Sequence, residues 1–256
     1  MASEYYRIPD WETRLRTFAH AIGLVLGAFL LAQVTGALGV VGVRAAGVTV
    51  ETVAALPPVP YAFLNAARFV GFFLAVLLYL QWRGFPDLFD VRVPSLRDLG
   101  LVVAGFVALF AVAYALTVAF DALGLERATN SVSEQGRQDP VRFLYLIPVT
   151  FLFVAPGEEL LFRGVVQGLF RRAYGVVPAV AFASLLFAFG HWLALVGSSG
   201  GKLGTVAVIV ALGAVLGTLY ELTENLLVPV LVHACWNTMS FLTSYADATG
   251  FLAPPW

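Results

Sequence analysis

Two adjacent glutamates, Glu158 and Glu159, sit with Arg163 inside the run Phe143–Phe170, which is otherwise predominantly apolar. His191 follows Phe187-Ala-Phe-Gly, and His233 and Asn237 stand four apart in Val232-His-Ala-Cys-Trp-Asn-Thr238. A charged group in low-dielectric surroundings is costly, so such side chains face a protein interior or a water-filled cavity. Glu158, His191, His233 and Asn237 are sufficient for hydrolysis by an activated water. The carboxylate takes the proton, a histidine orients the water, and His/Asn donors stabilise an oxyanion. Glu158, His191 and His233 could instead hold a divalent metal ion such as zinc, which would acidify its bound water. Nothing in the sequence strictly requires one.

Neighbouring residues on an α-helix point about 100° apart, so the two glutamates are not expected to serve one face. Glu159 and Arg163 are spaced i,i+4 with the acid N-terminal, the favoured order for a structural ion pair. Glu158 is then left to look toward another helix, while Pro156-Gly157 just before it is expected to loosen the backbone and admit water. Other polar or small groups have plainer readings. Glu221 and Glu224 read as surface or capping groups at a span end, and Gly213 and Gly217 as a GxxxG close-packing pair. Cys235 lies about 200° around the helix from His233 and reads as a small core residue. Asn237 by itself would be packing glue, and His20 and Arg68 are placed near span ends.

These residues must be carried by membrane helices. The chain is 60% hydrophobic and 12% charged, with mean hydropathy +0.86, whereas soluble domains are about half apolar and a quarter charged. Seven apolar runs, 18–43, 61–82, 96–120, 143–170, 176–196, 203–222 and 226–245, are each about long enough to cross a hydrocarbon core of ~30 Å. The expected fold is therefore all-α, a polytopic transmembrane helical bundle of about seven spans, with eight possible. It is read as a single integral membrane domain, with 1–142 as scaffold and the last four spans, 143–245, as the working part because the polar residues concentrate there. Residues 1–17 form a lead-in with Tyr5, Tyr6 and Trp11 as interfacial anchors. Pro57-Pro58-Val59-Pro60 reads as a stiff extended stretch, and 121–140 as an exposed joint with room for a surface helix. Basic residues in the joints divide eight to five in favour of a cytoplasmic N-terminus. Their strong arginine bias points to a GC-rich genome, and the chain is read as residing in a prokaryotic plasma membrane. A net charge of -1 and pI near 6.3 argue against a nucleic-acid partner. The lone Cys235 excludes an internal disulfide.

Glu158-Glu-Leu-Leu-Phe-Arg163, Phe187-Ala-Phe-Gly-His191 and His233-Ala-Cys-Trp-Asn237 match EExxxR, FxxxH and HxxxN in order and spacing. With the run from Leu219 to His233, they resemble the CPBP family of intramembrane proteases. That family includes the CAAX prenyl protease 2 (Ras-converting endopeptidase) type and bacteriocin-processing relatives. The resemblance spans about residues 143–245. It implies that Glu158 and His191 activate water, that His233 and Asn237 form the oxyanion site, and that Glu159, Arg163 and Phe187 support the motif. It also implies the lipid bilayer as environment and membrane-anchored proteins or peptides, lipidated CAAX-type tails among them, as substrates. Both glutamate-dependent and metal-dependent mechanisms fit its motifs. Two other readings compete: a non-catalytic chaperone, immunity or scaffold member of the same fold, and a proton-coupled transporter using buried Glu and His as a relay.

Overall fold

The computed structural model describes residues 10–84 and 87–251, and Tyr5 and Tyr6 fall outside them. Helix α1 covers Trp11–Ala45, α2 Pro58–Trp82 and α3 Leu96–Ala122. A short helix α4, Ser131–Gln138, occupies the polar joint. One unbroken helical rod then runs from Val141 to Tyr174, made of α5 (Val141–Val149), α6 (Ala155–Glu159) and α7 (Gly168–Tyr174) joined by two π-helical stretches. It is followed by α8 (Val176–His191), α9 (Ser199–Thr223) and α10 (Leu227–Thr249). Strands β1 (Thr129–Asn130) and β2 (Leu195–Val196) form a two-residue antiparallel pair beside this all-helical bundle.

Six helices among the described residues are long and apolar enough to cross a membrane: α1, α2, α3, the 141–174 rod, 176–194 and α9. The expected seventh, α10, is a 23-residue helix, but it is not among those six because it carries His233, Asn237 and a run of small polar residues. It packs against α3, α5, α6 and α9. On α3 only 11% of the apolar window is buried, and Leu26, Leu30 and Leu38 of α1 are all more than 60% exposed. Apolar faces of this extent are a liability in water and the natural lipid-facing surface in a bilayer.

Local sequence explains the helix boundaries. Asp10 caps α1 by accepting from the Thr13 amide, and Ser95 and Asp98 form a reciprocal capping box at α3. The Pro57–Pro60 stretch, expected to be extended, instead starts α2. Pro57 is the N-cap and Pro58 the first helical residue, positions whose N–H groups have no intrahelical partner to lose. Gly175, at φ 85°, separates α7 from α8 without an intervening loop.

The helices meet closely where side chains are small. A Cβ on Gly71 of α2 would fall onto the Leu31–Ala32 backbone of α1, so those helices touch backbone to backbone. In contrast, nothing lies within 4 Å of a Cβ built at Gly23. Gly71→Val is expected to destabilise the detergent-solubilised protein by about 1–3 kcal/mol through overpacking. Gly23→Ala should be neutral or stabilising by up to ~1 kcal/mol. Thermal unfolding of the two variants side by side checks this, and equal effects would contradict the packing.

Candidate functional site

The two glutamates lie at the point where the 141–174 rod is least regular. A π-helical stretch at Thr150–Val154 precedes them and another at Leu160–Gln167 follows. Pro156 has no N–H and its ring crowds the carbonyl four residues earlier, so a widened turn just upstream relieves that clash. The rod does not break at Pro156-Gly157. The departure from α geometry lies in the flanking turns, in the manner of π-bulges that recur at functional sites.

Glu159 and Arg163 are fully buried, and Arg163 Nη1 donates to Glu159 Oε1 at 3.2 Å. The expected division of labour between the glutamates is incomplete, because Glu159 Oε1 also lies 2.8 Å from Nδ1 of His233. The other ring nitrogen, His233 Nε2, is 3.5 Å from Glu158 Oε2. One imidazole therefore stands between two adjacent carboxylates, and α10 closes over the rod at this point.

The charges constrain the protons. With Glu159 ionised and paired to Arg163, His233 Nδ1 must carry a hydrogen. A further proton can be accommodated across the 3.5 Å Nε2–Glu158 contact. Placed on the imidazole, it gives two carboxylates against two cations and leaves the buried cluster neutral, the condition under which buried charge is tolerated.

Phe187 of α8 organises the surroundings. The Arg163 guanidinium lies 4.4 Å from its ring centroid, and the rings of His191 and His233 meet it at 4.6 and 5.9 Å. His191 is half-buried and its Nδ1 donates to the Phe187 carbonyl at 2.8 Å. That bond sets the tautomer and leaves Nε2 with its lone pair free to accept a hydrogen or bind an electrophile. His191 makes no hydrogen bond to Glu158 or His233. Asn237, one turn beyond His233 and half-buried, has no hydrogen-bond partner among the described residues. Glu158, His191 and His233 do not stand as a ready-made ligand set, since no three His, Cys, Asp or Glu side chains among the described residues are grouped to hold a metal ion.

Gln167 is a buried partner that spacing alone did not reveal. Arg163 Nη2 donates to the Gly213 carbonyl at 3.1 Å, and Gln167 Nε2 donates to that of Gly217 at 3.0 Å. Residues 163 and 167 on the rod thus pair rung for rung with 213 and 217 on α9. The GxxxG pair is a close-packing site for a specific reason. A Cβ at 217 would stand 2.8 Å from Gln167 Oε1, and one at 213 would stand 3.3 Å from Arg163 Nη2. Helical carbonyls keep a second lone pair, which these side chains use. A signal was present in sequence: Gln167 continues the i,i+4 row of Glu159 and Arg163.

The row extends toward the membrane surface. Gln167 also donates to Glu221 at 2.8 Å, and Arg171 pairs with Glu221 and Glu224 at 3.3 and 3.4 Å. Glu221 and Glu224, expected as surface or capping groups, thereby tie α9 to α7. Glu224 is the left-handed residue (φ 47°) that ends α9. Arg92 donates to the carbonyls of Thr223 and Glu224, and Asn225 accepts from the Arg92 and Leu227 amides. This junction sets where α10, and with it His233, begins. Cys235 is half-buried on α10 with a free thiol. His20, in α1, contacts the Tyr79 hydroxyl at 3.2 Å.

Residues 140–239 match a family model described as type II CAAX prenyl endopeptidase Rce1-like. The match contains all three motifs and leaves the first three long helices outside it. No curated protein matches the chain. No solved structure does either.

Because Arg163 neutralises a fully buried carboxylate, Arg163→Leu is expected to cost about 3–5 kcal/mol. Gln167→Leu should cost about 1–3 kcal/mol by leaving buried polar partners unpaired. The double variant Glu159→Gln/Arg163→Leu should recover part of the single-variant loss. Thermal unfolding reads all three, and a double variant no better than Arg163→Leu would contradict the charge accounting.

Proposed function

We propose, from the match of residues 140–239 to the type II CAAX prenyl endopeptidase Rce1-like family model, that this protein is an intramembrane endopeptidase. Its substrates are membrane-anchored proteins or peptides, with lipidated CAAX-type tails the class that the family description points to. The observation that carries the reading is the Glu158–His233–Glu159–Arg163 cluster, a compensated set of charges inside an apolar bundle.

In the reactive form Glu158 is ionised and His233 carries protons on both ring nitrogens. Glu158 takes a proton from a water as its oxygen attacks the scissile carbonyl. His191, with Nε2 free, accepts the water's other hydrogen and aims the lone pair. The oxyanion draws on His233 Nε2–H and the unengaged Asn237 amide, donors whose hydrogen bonds strengthen as charge develops. Glu159 holds the Nδ1 side of His233, which keeps Nε2 directed at the reaction space. Collapse of the tetrahedral intermediate returns the proton from Glu158 to the departing amine. Every proton in this sequence is moved by the chain's own residues, and no step runs through a metal.

A purified-protein assay on a membrane-anchored peptide tests the reading. Glu158→Gln and His191→Ala should each lower kcat by about 10²–10⁴-fold, and Asn237→Ala by about 10²–10³-fold, with His191→Ala and Asn237→Ala keeping their thermal stability. Activity should persist after dialysis against a chelator. Unchanged cleavage by Glu158→Gln would refute the role assigned to that carboxylate. Loss on chelation with recovery on adding zinc would move the mechanism to a metal-dependent one.

A further inference from the structure

Arg68 was expected near a span end, yet it lies deep in α2. Ten residues, about 15 Å of helix, separate it from Pro58, and about 21 Å separate it from Trp82. Neither end of this membrane helix is within easy reach of its stem. Its guanidinium has no hydrogen bond or ion pair among the described residues, and the side chain is half-buried. Arg163, deep in the 141–174 rod, is by contrast paired with Glu159. A cation at this depth marks a functional group by default, because its charge must be met by something.

The packing places its backbone about one turn from the contact that α2 makes with Gly157, while its stem crosses α1. Helix α2 runs alongside the 141–174 rod: Tyr61 lies under the Arg142 guanidinium at 5.1 Å, and a Cβ at Gly157 would meet Phe69 and Phe72 at 3.4 and 3.6 Å. Arg68 and Phe72 are i,i+4, so Arg68 lies one turn from the contact with Gly157, the residue that precedes Glu158. Asn237 is displaced in the same direction. His233 touches Glu158, whereas Phe241, two turns on, stacks with Phe143 at the start of the rod at 6.1 Å. Arg68 on α2 and Asn237 on α10 thus each lie one helical turn from a residue that contacts the Gly157–Glu158 turn, Phe72 in one case and His233 in the other. The Arg68 stem lies across Gly36 of α1, where a Cβ would come within 2.9 Å of its Cγ. The glycine leaves room for the arginine to extend.

We infer that Arg68 is a substrate-specificity residue that binds a carboxylate of the peptide being cleaved. This rests on the peptidase reading above. The guanidinium fork matches a carboxylate in two parallel hydrogen bonds, and inside an apolar bundle the pair would be screened little by salt. Two groups carry that chemistry: the peptide's α-carboxylate at its C-terminus and an acidic side chain near the scissile bond.

Binding of a fluorescent, membrane-anchored peptide to Glu158→Gln protein in nanodiscs separates this inference from the peptidase reading, because no turnover is needed. Four peptides are compared: free acid, C-terminal amide, and each of these with its one Asp replaced by Asn. The carboxylate that is read should tighten binding by at least tenfold with Arg68 present, and its advantage should fall to within about twofold in Glu158→Gln/Arg68→Gln. Arg68→Lys should keep part of it. Loss of the C-terminal acid's advantage assigns the chain terminus, and loss of the Asp advantage assigns the side chain. The inference is overturned if neither carboxylate affects binding, if no carboxylate advantage is lost in Arg68→Gln, or if no peptide binds. Should Arg68→Gln fail to fold, the acid–amide and Asp–Asn differences with Arg68 intact, compared with those of Arg68→Lys, decide it. Cleavage by the wild type is scored separately, so an inactive but carboxylate-selective protein would refute only the peptidase reading.

Discussion

A carboxylate and a guanidinium, both sealed from water, face one another four residues apart on a single helix, and His233 of α10 completes the arrangement. Removing such charges from water costs several kcal/mol per ion, so the helices that supply the partners cannot drift apart without exposing an unpaired charge. That requirement fixes the distance between the 141–174 rod and α10. Through the Arg163–Gly213 bond it also fixes the approach of α9. The closeness of the helices and the compensation of the charges are two sides of one constraint.

Small residues make the constraint attainable. In lipid there is little hydrophobic gain from bringing two apolar helices together, so association rests on packing and on polar contacts between helices. Gly213 and Gly217 open two backbone carbonyls to Arg163 and Gln167, and Gly71 lets α2 seat against α1. The prolines act in the opposite direction. Pro156 is accommodated by a π turn inside an unbroken helix, and this changes which side chains share a face. Two consecutive glutamates both reach one imidazole because they meet its two different ring nitrogens, Nε2 and Nδ1.

The polar row from Glu158 through His233, Glu159, Arg163, Gln167, Glu221 and Arg171 to Glu224 links the buried site to a helix end near the membrane surface. Glu159, Arg163 and Gln167 are fully buried, and the outer members Arg171 and Glu224 are partly solvated. Interaction energies therefore fall along its length, as expected when dielectric screening increases outward. Anchoring is strongest beside the candidate chemistry and weakest where the chain meets solvent.

The amino-acid sequence by itself determined the helical, membrane-embedded class, because long apolar runs admit no other backbone solution in lipid. It also identified the Glu159–Arg163 pair and the three motifs, since i,i+4 spacing and residue order are local properties. Other features depended on contacts between distant segments. His233 bridges both glutamates, Gln167 stands opposite Gly217, and α10 is a packed helix that is not among the six apolar enough to cross a membrane. Arg68 shows the difference most directly. Its position in the chain suggested a helix end, but a proline that starts α2 earlier than the apolar run left it deep in the helix. Only the tertiary packing placed it one turn from Gly157 with no counter-ion of its own, because the neighbours of a side chain are set by which helices pack together and at what height.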